Sequence, residues 1–302
     1  MASIANILKY HFSYHHIFLD ICFLSPFLSI SVIEMNMKDI ENDLEMIEVE
    51  NDERYWVYTI PPIEDGETKK KIKALEYDED CSLRSVVISD TIEEIGREAF
   101  NFCRNLKDIK FGSSLKRIDR EAFYGCDSLE SIIFPESLES IEEKAFSSCD
   151  SLSSVRVGSA LSYIGEGAFA YCESLENIYI SSENEFFSSI DGILYDKEGT
   201  KMILYPPGRK DKEFTIPSFV TSIGKGCFFN NEYIEHIRVP SNVRYIEERS
   251  FAESNIKAID LPDNLQTIES ETFYWCKKIE TIKLPSSLLE IKDNAFTRCS
   301  IR

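Results

Sequence analysis

Residues 95–103 read IGREAFNFC, and this stretch is the first copy of a repeat that decides the fold. The pattern I-x-x-x-A-F-x-x-C returns three times at steps of 23 residues, at 118–126 (IDREAFYGC), 141–149 (IEEKAFSSC) and 164–172 (IGEGAFAYC). Weaker copies start at Ile223, Ile246, Ile268 and Ile291. A fixed period of roughly 20–50 residues indicates a repeat architecture, in which each unit stacks on its neighbours.

A second phrase, L-x-x-I-x-[FVIL], follows the motif and ends seven residues before the next isoleucine. The offset also holds across the long step of 59 residues from Ile164 to Ile223, because Ile216 lies seven residues before Ile223. This step is 36 residues longer than the repeat, and we place an insertion between two repeat strands, at 181–213. Nine coils are counted from the last residues of their strands, which are Ile88, Phe111, Phe134, Val157, Ile180, Ile216, Val239, Leu261 and Leu284.

The two phrases place apolar residues on opposite sides of one coil. The last two apolar residues of L-x-x-I-x-L are two apart and share one side of a strand, while the Ala-Phe pair fills the other side of the coil. One coil has six or seven such anchors, worth roughly 1.5–3 kcal/mol each. They cannot offset the ordering of 23 residues at about 1.5 kcal/mol apiece, so coils must stack. The sequence predicts an α/β repeat solenoid of about nine coils with a parallel β-sheet on its concave face.

The sequence pattern of the repeat is similar to that of a known family. The phrase at 279–285 (IETIKLP), the S-L-x-x-I at 287–291, the A-F-x-x-C block and the irregular segment 189–209 (SIDGILYDKEGTKMILYPPGR) carry the likeness. With them, residues 81–302 resemble the BspA-like leucine-rich repeat surface protein family. The resemblance implies a leucine-rich-repeat horseshoe. It also implies a surface protein, because family members typically bind host or matrix proteins or other cells.

Six cysteines occupy one position of the repeat, namely Cys103, Cys126, Cys149, Cys172, Cys276 and Cys299. Asn231 and Ser254 take the same position in two other coils. A position shared by Cys, Asn and Ser predicts a small side chain that hydrogen-bonds the turn backbone. Neighbouring cysteines would lie about 5 Å apart, and at this distance disulfide formation is an open alternative. Because successive side chains would point the same way, a ladder of thiols is favoured over disulfides. The sequence has no C-x-x-C pair that would indicate a zinc site.

Charge and missing motifs exclude several classes of function. The net charge of -20 repels phosphate backbones and anionic lipid, so no nucleic-acid partner is expected. The sequence has no glycine-rich phosphate loop, G-x-S-x-G or H-E-x-x-H. We therefore predict that the protein is not an enzyme and has no cofactor or metal.

The N-terminal region is divided into two parts. Residues 1–37 form a hydrophobic segment, for which 17–33 (IFLDICFLSPFLSISVI) leaves three interpretations open. These are a signal peptide or anchor, a gene-model artefact with translation starting at Met35 or Met37, and a packed helix. Residues 38–80 are predicted to be an acidic linker and an N-terminal cap, with a strand at 55–60 (YWVYTI). Membrane association is expected only if 17–33 acts as a signal or anchor.

Exposed strand positions on the concave face are the first candidates for binding. We single out six candidate protein contacts: Lys110, Arg156, Tyr179, His236, Arg238 and Lys283. Arg156, Tyr179 and Arg238 would centre the patch, since Arg and Tyr are enriched at binding hot spots. The alternative is that solvent-facing strand positions are simply polar.

The insertion at 181–213 is the second candidate. Two apolar runs, 193–195 and 202–205, flank 196–201 and predict a hairpin. Insertions in solenoids often line a binding side. The insertion carries Phe186, Phe187, Tyr195 and Tyr205, and an interpretation in which these aromatic residues cover the break in the coil is favoured.

These patterns favour a protein-binding leucine-rich repeat module that acts in adhesion or recognition at the cell surface. The alternative is an intracellular protein-interaction scaffold. The expected partner is a protein, including host or matrix proteins. The family resemblance implies a surface or secreted location, and the scaffold alternative implies the cytoplasm.

Overall fold

The computed structural model describes residues 83–301 and, as backbone only, three earlier strands. These are β1 (Leu44–Glu48), β2 (Arg54–Ile60) and β3 (Lys71–Ile72). Contacts divide the chain into the units Met1–Leu44 and Glu45–Arg302, and the repeats lie in the second. The predictions for 1–37 therefore fall outside the described residues. A strand is present at the position predicted for 55–60, and β2 pairs in parallel with the first repeat strand.

One strand per coil forms a parallel ladder, which we call the first ladder. Its members are β4 (Ser85–Ile88), β6 (Asp108–Lys110), β8 (Ser131–Ile133), β10 (Ser154–Val157), β12 (Asn177–Ile180), β16 (Glu213–Thr215), β18 (His236–Arg238) and β20 (Ala258–Asp260). The pairing runs in three stretches, β4–β6, β8–β10–β12 and β16–β18–β20, with paired strands one coil apart, as in Val155 opposite Ile178. In β10 the residues Val155 and Val157 are buried and Arg156 is exposed, as the alternation predicts. The ninth predicted rung, which ends at Leu284, is not a strand.

The isoleucine of each motif lies in a second parallel ladder of very short strands. These are β5 (Glu94–Ile95), β7 (Arg117–Ile118), β9 (Ser140–Ile141), β11 (Tyr163–Ile164), β17 (Ser222–Ile223), β19 (Tyr245–Ile246), β21 (Thr267–Ile268) and β22 (Glu290–Ile291). Most of these isoleucines have no exposed surface or almost none, Ile95 and Ile141 among them. The predicted solenoid is confirmed, because in-register parallel strands recur on two sides of successive coils.

The A-F blocks form the remaining side of each coil, here called the turn side, and they correct the α/β prediction. No helix occurs among residues 83–301. In the first block Glu98 and Phe102 have φ of 54°, in the left-handed region that interrupts a helix. The N–H groups of Glu98, Phe100 and Phe102 then donate to carbonyls of the next coil at 3.0, 2.7 and 2.7 Å. Because these donors bond between coils, they cannot make the i to i−4 bonds of an α-helix.

A stack of phenylalanines fills the interior behind the turn side. Phe100, Phe123, Phe146 and Phe169 lie face to face, with ring centroids 4.9, 5.0 and 5.8 Å apart. A second stack runs through Phe228, Phe251, Phe273 and Phe296 at 5.2–5.4 Å. Alanines such as Ala122 and Ala145 are fully buried beside them. The hydrophobic core correspondingly forms two clusters, one on each side of the insertion.

The insertion builds three strands, β13 (Phe187–Ile190), β14 (Ile193–Asp196) and β15 (Lys201–Leu204). The predicted hairpin is confirmed, since β14 and β15 are antiparallel, and β15 then joins the second ladder beside β17. Tyr205 stacks on Phe228 at 4.8 Å and thus takes the phenylalanine position of this irregular coil. Tyr195 and Tyr205 are buried whereas Phe186 is 50 % exposed. The two tyrosines therefore cover the break as the favoured interpretation predicts, whereas that interpretation is wrong for the exposed Phe186.

The cysteine ladder hydrogen-bonds the backbone, as predicted. The thiols of Cys126, Cys149 and Cys172 donate to the carbonyls of Phe100, Phe123 and Phe146 at 3.3, 3.3 and 3.1 Å. Cys276 and Cys299 make the same bond to the carbonyls of Phe251 and Phe273 at 3.0 and 2.9 Å. All the described cysteines are free thiols. The sulfur atoms therefore serve the turn backbone and form no disulfide with one another.

Native thiols should accordingly react slowly. Burial raises the pKa of Cys149 and Cys172 well above the usual range and that of Cys276 to about 12. Each increase of one in pKa lowers the thiolate fraction about tenfold, and the thiolate is the nucleophile. In a Cys22→Ser, Cys81→Ser background we expect alkylation at pH 8 to be at least about tenfold slower in native buffer than in urea. Half-buried Cys299 should react first, and rapid native labelling of Cys149 or Cys172 would contradict this assignment.

Candidate interaction site

The exposed positions of the first ladder form one column of side chains. Pairing aligns Ile133 with Arg156 and Arg156 with Tyr179 on successive strands. Farther along the chain, a second part of the column contains Thr215, Arg238 and Asp260. The alternation along each strand sends these side chains outward because their neighbours Ile132, Val155 and Ile178 fill the core.

Ile133, Arg156 and Tyr179 lie together, and we call this set the Arg156 patch. The guanidinium carbon of Arg156 lies 4.8 Å from the Tyr179 ring centroid, which is a cation–π distance. Ile133 is 67 % exposed and Tyr179 is 42 % exposed. No carboxylate of the described residues forms an ion pair with Arg156. The patch thus offers an accessible aliphatic group, an aromatic ring and a cation without an acidic partner.

Short side chains flank the Arg156 patch. The adjacent outward column consists of Ser131, Ser154 and Asn177 in the same register. None of these side chains is long enough to cover the Arg156–Tyr179 pair. These short side chains therefore leave the Arg156–Tyr179 pair uncovered on that flank.

Arg238 and His236 are placed differently from Arg156. The Arg238 guanidinium lies 2.9 Å from the Glu213 carboxylate and 3.9 Å from that of Asp260. The same Asp260 carboxylate lies 2.9 Å from His236 Nε2. Two neighbouring carboxylates therefore engage the positive charge of Arg238, so this residue is less available to a partner.

The structure does not bring all six predicted contacts together. The insertion separates β12 from β16, so Arg156 and Tyr179 lie on one side of the break and Arg238 and His236 on the other. Lys110 is exposed on β6, opposite Val87, and Lys283 is exposed in a stretch without strand structure. Ile133 was not predicted as a contact from the sequence. It could have been recognised as an apolar residue at an outward strand position, directly after the inward Ile132.

Metal clusters and membrane-spanning helices are both absent from the described part of the chain. Within it, no cluster of three or more His, Cys, Asp or Glu side chains is arranged to hold a metal ion. The same residues contain no helix with the length and apolar character needed to span a bilayer.

Known proteins show the same repeat. The model of the BspA type leucine rich repeat region matches six copies, covering residues 70–190 and 209–302. The structure is similar to the pneumococcal vaccine antigen PcpA, with a TM-score of 0.60 and 23 % identity over 83 % of this chain and 76 % of that one. A leucine rich cell surface protein from Faecalibacterium prausnitzii gives 0.52 and 23 %, over 85 % and 84 %. No curated protein sequence matches the chain. At these identities the two structures establish the fold.

Proposed function

Because the chain belongs to the BspA-type leucine-rich repeat family, we propose that it binds another protein through the outward face of its first ladder. The family is a repeat scaffold, and such scaffolds typically present stacked strands as an extended binding surface. The Arg156 patch is the centre of the proposed contact. The observation that carries this proposal is the unpaired Arg156 cation held over Tyr179 beside the exposed Ile133.

The chemistry of the patch favours a protein partner. Arg and Tyr are the side chains most enriched at binding hot spots, and an apolar neighbour adds area that a partner can bury. Arg156 would pair with a carboxylate or an aromatic ring of the partner, while Ile133 would pack against an aliphatic side chain. Lys110, on the strand before Ile133, would extend the contact on one side. Arg238, His236 and Lys283 would serve only a partner long enough to cross the insertion.

We propose that the protein acts at the cell surface, in recognition or adhesion, without enzymatic activity. The names of the two similar structures, a vaccine antigen and a cell surface protein, support this location. The same proposal divides the chain into three parts. These are an N-terminal hydrophobic segment at 1–37, an acidic linker with a cap at 38–80 and a repeat domain at 81–302. An intracellular scaffold is the alternative. Surface labelling of the tagged protein with its native N-terminus, together with N-terminal sequencing, distinguishes the two.

Arg156→Ala and Tyr179→Ala should each weaken binding without changing stability. A hot-spot loss of about 2 kcal/mol corresponds to roughly thirtyfold weaker affinity. The measurement is surface plasmon resonance of each variant on immobilised reconstituted basement-membrane matrix and on detergent-solubilised host-cell surface proteins. Thermal unfolding should remain within about 0.5 kcal/mol of the parent, as expected for exposed positions.

Tyr245→Ala is the matched control, since Tyr245 is 66 % exposed but lies on the second ladder. It should bind as the parent does. Arg238→Ala should have a smaller effect than Arg156→Ala, because Glu213 and Asp260 already engage Arg238. Equal binding by Arg156→Ala, Tyr179→Ala and the parent would reject the Arg156 patch.

A further inference from the structure

The hydrogen-bond ladder of the turn side is interrupted where the insertion enters. In the three preceding blocks, alternate N–H groups donate to the next coil, as Lys144, Phe146 and Ser148 do to the carbonyls of Glu166, Ala168 and Ala170. The corresponding donors of the following block are the N–H groups of Gly167, Phe169 and Tyr171. For these three donors, the described chain supplies no acceptor. The block therefore ends the ladder with a row of unpaired N–H groups.

The opposite wall of the interruption presents unpaired acceptors. By the register of the repeat, the block at 223–231 should receive bonds at the carbonyls of Lys225, Cys227 and Phe229. Tyr205 of the insertion donates its N–H to the Cys227 carbonyl at 2.9 Å. The Lys225 and Phe229 carbonyls accept no hydrogen bond from any residue that the structure describes. One rung of the ladder is thus only partly filled, by Tyr205 at its centre.

A cleft of about 940 Å³ lies between these two walls. Phe169, Leu204 and Phe229 give it an apolar lining. Phe169 is only 2 % exposed, so its N–H lies in surroundings where an unpaired donor is costly. The cleft shares no residue with the Arg156 patch.

Polar contacts join the two walls at the rim of the cleft. The Lys225 and Arg249 side chains lie 3.0 and 3.4 Å from the Glu166 carboxylate. The Tyr171 hydroxyl donates to the Glu253 carboxylate at 3.0 Å. Together with the edge-on contact of the Tyr171 and Phe229 rings, whose centroids are 5.4 Å apart, these contacts join the two walls.

We propose that the cleft binds a polypeptide segment of a partner protein by main-chain pairing, with the segment in the turn conformation of the repeat's own A-F blocks. The segment's carbonyls would accept hydrogen bonds from Gly167, Phe169 and Tyr171, while Tyr205 keeps its bond to the Cys227 carbonyl on the opposite wall. In the A-F blocks the main chain presents carbonyls on alternate residues, which is the spacing that these three donors require. Main-chain hydrogen bonding to an open edge is an established mode of peptide recognition. The apolar lining favours a segment with apolar side chains on its inner face.

The probe is a fluorescein-labelled peptide that copies residues 142–148 (EEKAFSS). In the fold, the carbonyls of Glu143, Ala145 and Ser147 accept bonds from the N–H groups of the preceding block at 3.1, 2.8 and 2.9 Å. The peptide can therefore present the same three carbonyls to the N–H groups of Gly167, Phe169 and Tyr171. We expect a saturable rise in fluorescence anisotropy with the full-length protein. At saturation, amide hydrogen exchange in 166–172 should slow at least about tenfold, while exchange in 121–125 stays unchanged.

Two controls separate main-chain pairing from adhesion to an apolar surface. A peptide of the same sequence built from D-amino acids has the same composition but cannot adopt the same pairing, so it should not bind. Ala170→Trp and Ile203→Trp place a large ring in the cleft lining and should abolish binding, while Tyr245→Trp on the second ladder should not.

Four results would overturn the proposal. They are the absence of saturable binding, equal binding of the D-peptide, slow exchange in 166–172 without peptide, and undiminished binding by a folded Ala170→Trp or Ile203→Trp variant. Circular dichroism establishes which variants fold. The exchange measurement on the parent protein decides the question even if both tryptophan variants unfold.

Discussion

Phe146→Ala is expected to lower the free energy of unfolding by about 4 kcal/mol, since phenylalanine-to-alanine changes in well-packed cores cost about 3–5 kcal/mol. Phe146 is fully buried in the middle of the first phenylalanine stack. Its ring lies 5.0 Å from Phe123 and 5.8 Å from Phe169, with Phe134 at its edge at 5.4 Å. Removing the ring leaves a cavity that rigid neighbours on both sides cannot close. Urea denaturation followed by circular dichroism measures the loss.

Phe186→Ala is the control for Phe146→Ala. Phe186 is 50 % exposed at the start of the insertion, so its removal should change the unfolding free energy by no more than about 0.5 kcal/mol. A loss below about 1 kcal/mol for Phe146→Ala would mean that the stack does not act as a continuous core.

Asn184→Ala should cost about 3 kcal/mol, because it leaves several polar backbone groups without partners. Asn184 is fully buried where the insertion leaves the repeat. Its amide donates to the carbonyls of Gly158 and Leu161 at 3.0 and 2.9 Å. Its carbonyl oxygen accepts from the N–H groups of Phe186 and Phe187 at 2.9 and 2.7 Å. One side chain thus fastens the insertion to the preceding coil, and urea denaturation should register its loss.

Asn242→Ala provides the comparison for Asn184→Ala. Asn242 also donates to two backbone carbonyls, those of Ser218 and Val220, but it is only half-buried and water can replace it. We expect a cost of about 1 kcal/mol there. Hydrogen exchange should also accelerate at Phe186 and Phe187 in Asn184→Ala alone. Equal costs for the two asparagines, or unchanged exchange in the insertion, would disprove the role assigned to Asn184.

The periodicity of the sequence predicts most of the fold, because buried positions recur at fixed offsets. Ile95, Ala99, Phe100 and Cys103 all occupy the core as their spacing requires. The turn side was predicted less well. Its left-handed residues include Glu98 and Phe102, and such side chains give no propensity signal for that conformation. Gly167 and Gly226 at the corresponding position of other coils were the available hint.

The role of Asn184 was hidden because the insertion lies outside the register of the repeat. A second asparagine shows what could have revealed it. Asn231 donates to the carbonyls of Pro206 and Pro207 and accepts from the N–H groups of Tyr233 and Ile234. The two segments read NEFF at 184–187 and NEYI at 231–234. This shared pattern places a buried amide before two apolar residues and marks both ends of the irregular coil.

The candidate site could be predicted only in part, for reasons of pairing across strands. The alternation of each strand identified Arg156, Tyr179 and Arg238 as outward. It could not show that Glu213 and Asp260 engage Arg238 while Arg156 lies over Tyr179, because these contacts depend on which rungs are adjacent. Whether Tyr179 and Arg238 are neighbours depends on the insertion between them. The path of the chain through the insertion could not be predicted because its sequence does not repeat.

Because the ladder hydrogen bonds run from coil to coil, the molecule should resist force differently along the stack of coils and across a coil. Tension applied between the two ends of the repeats would load one rung at a time, so coils would peel off in sequence instead of shearing together. Each freed coil of about 23 residues would release roughly 80 Å of chain, at about 3.5 Å per residue. Under axial tension the molecule would therefore lengthen gradually, whereas tension across a coil would load many parallel hydrogen bonds at once.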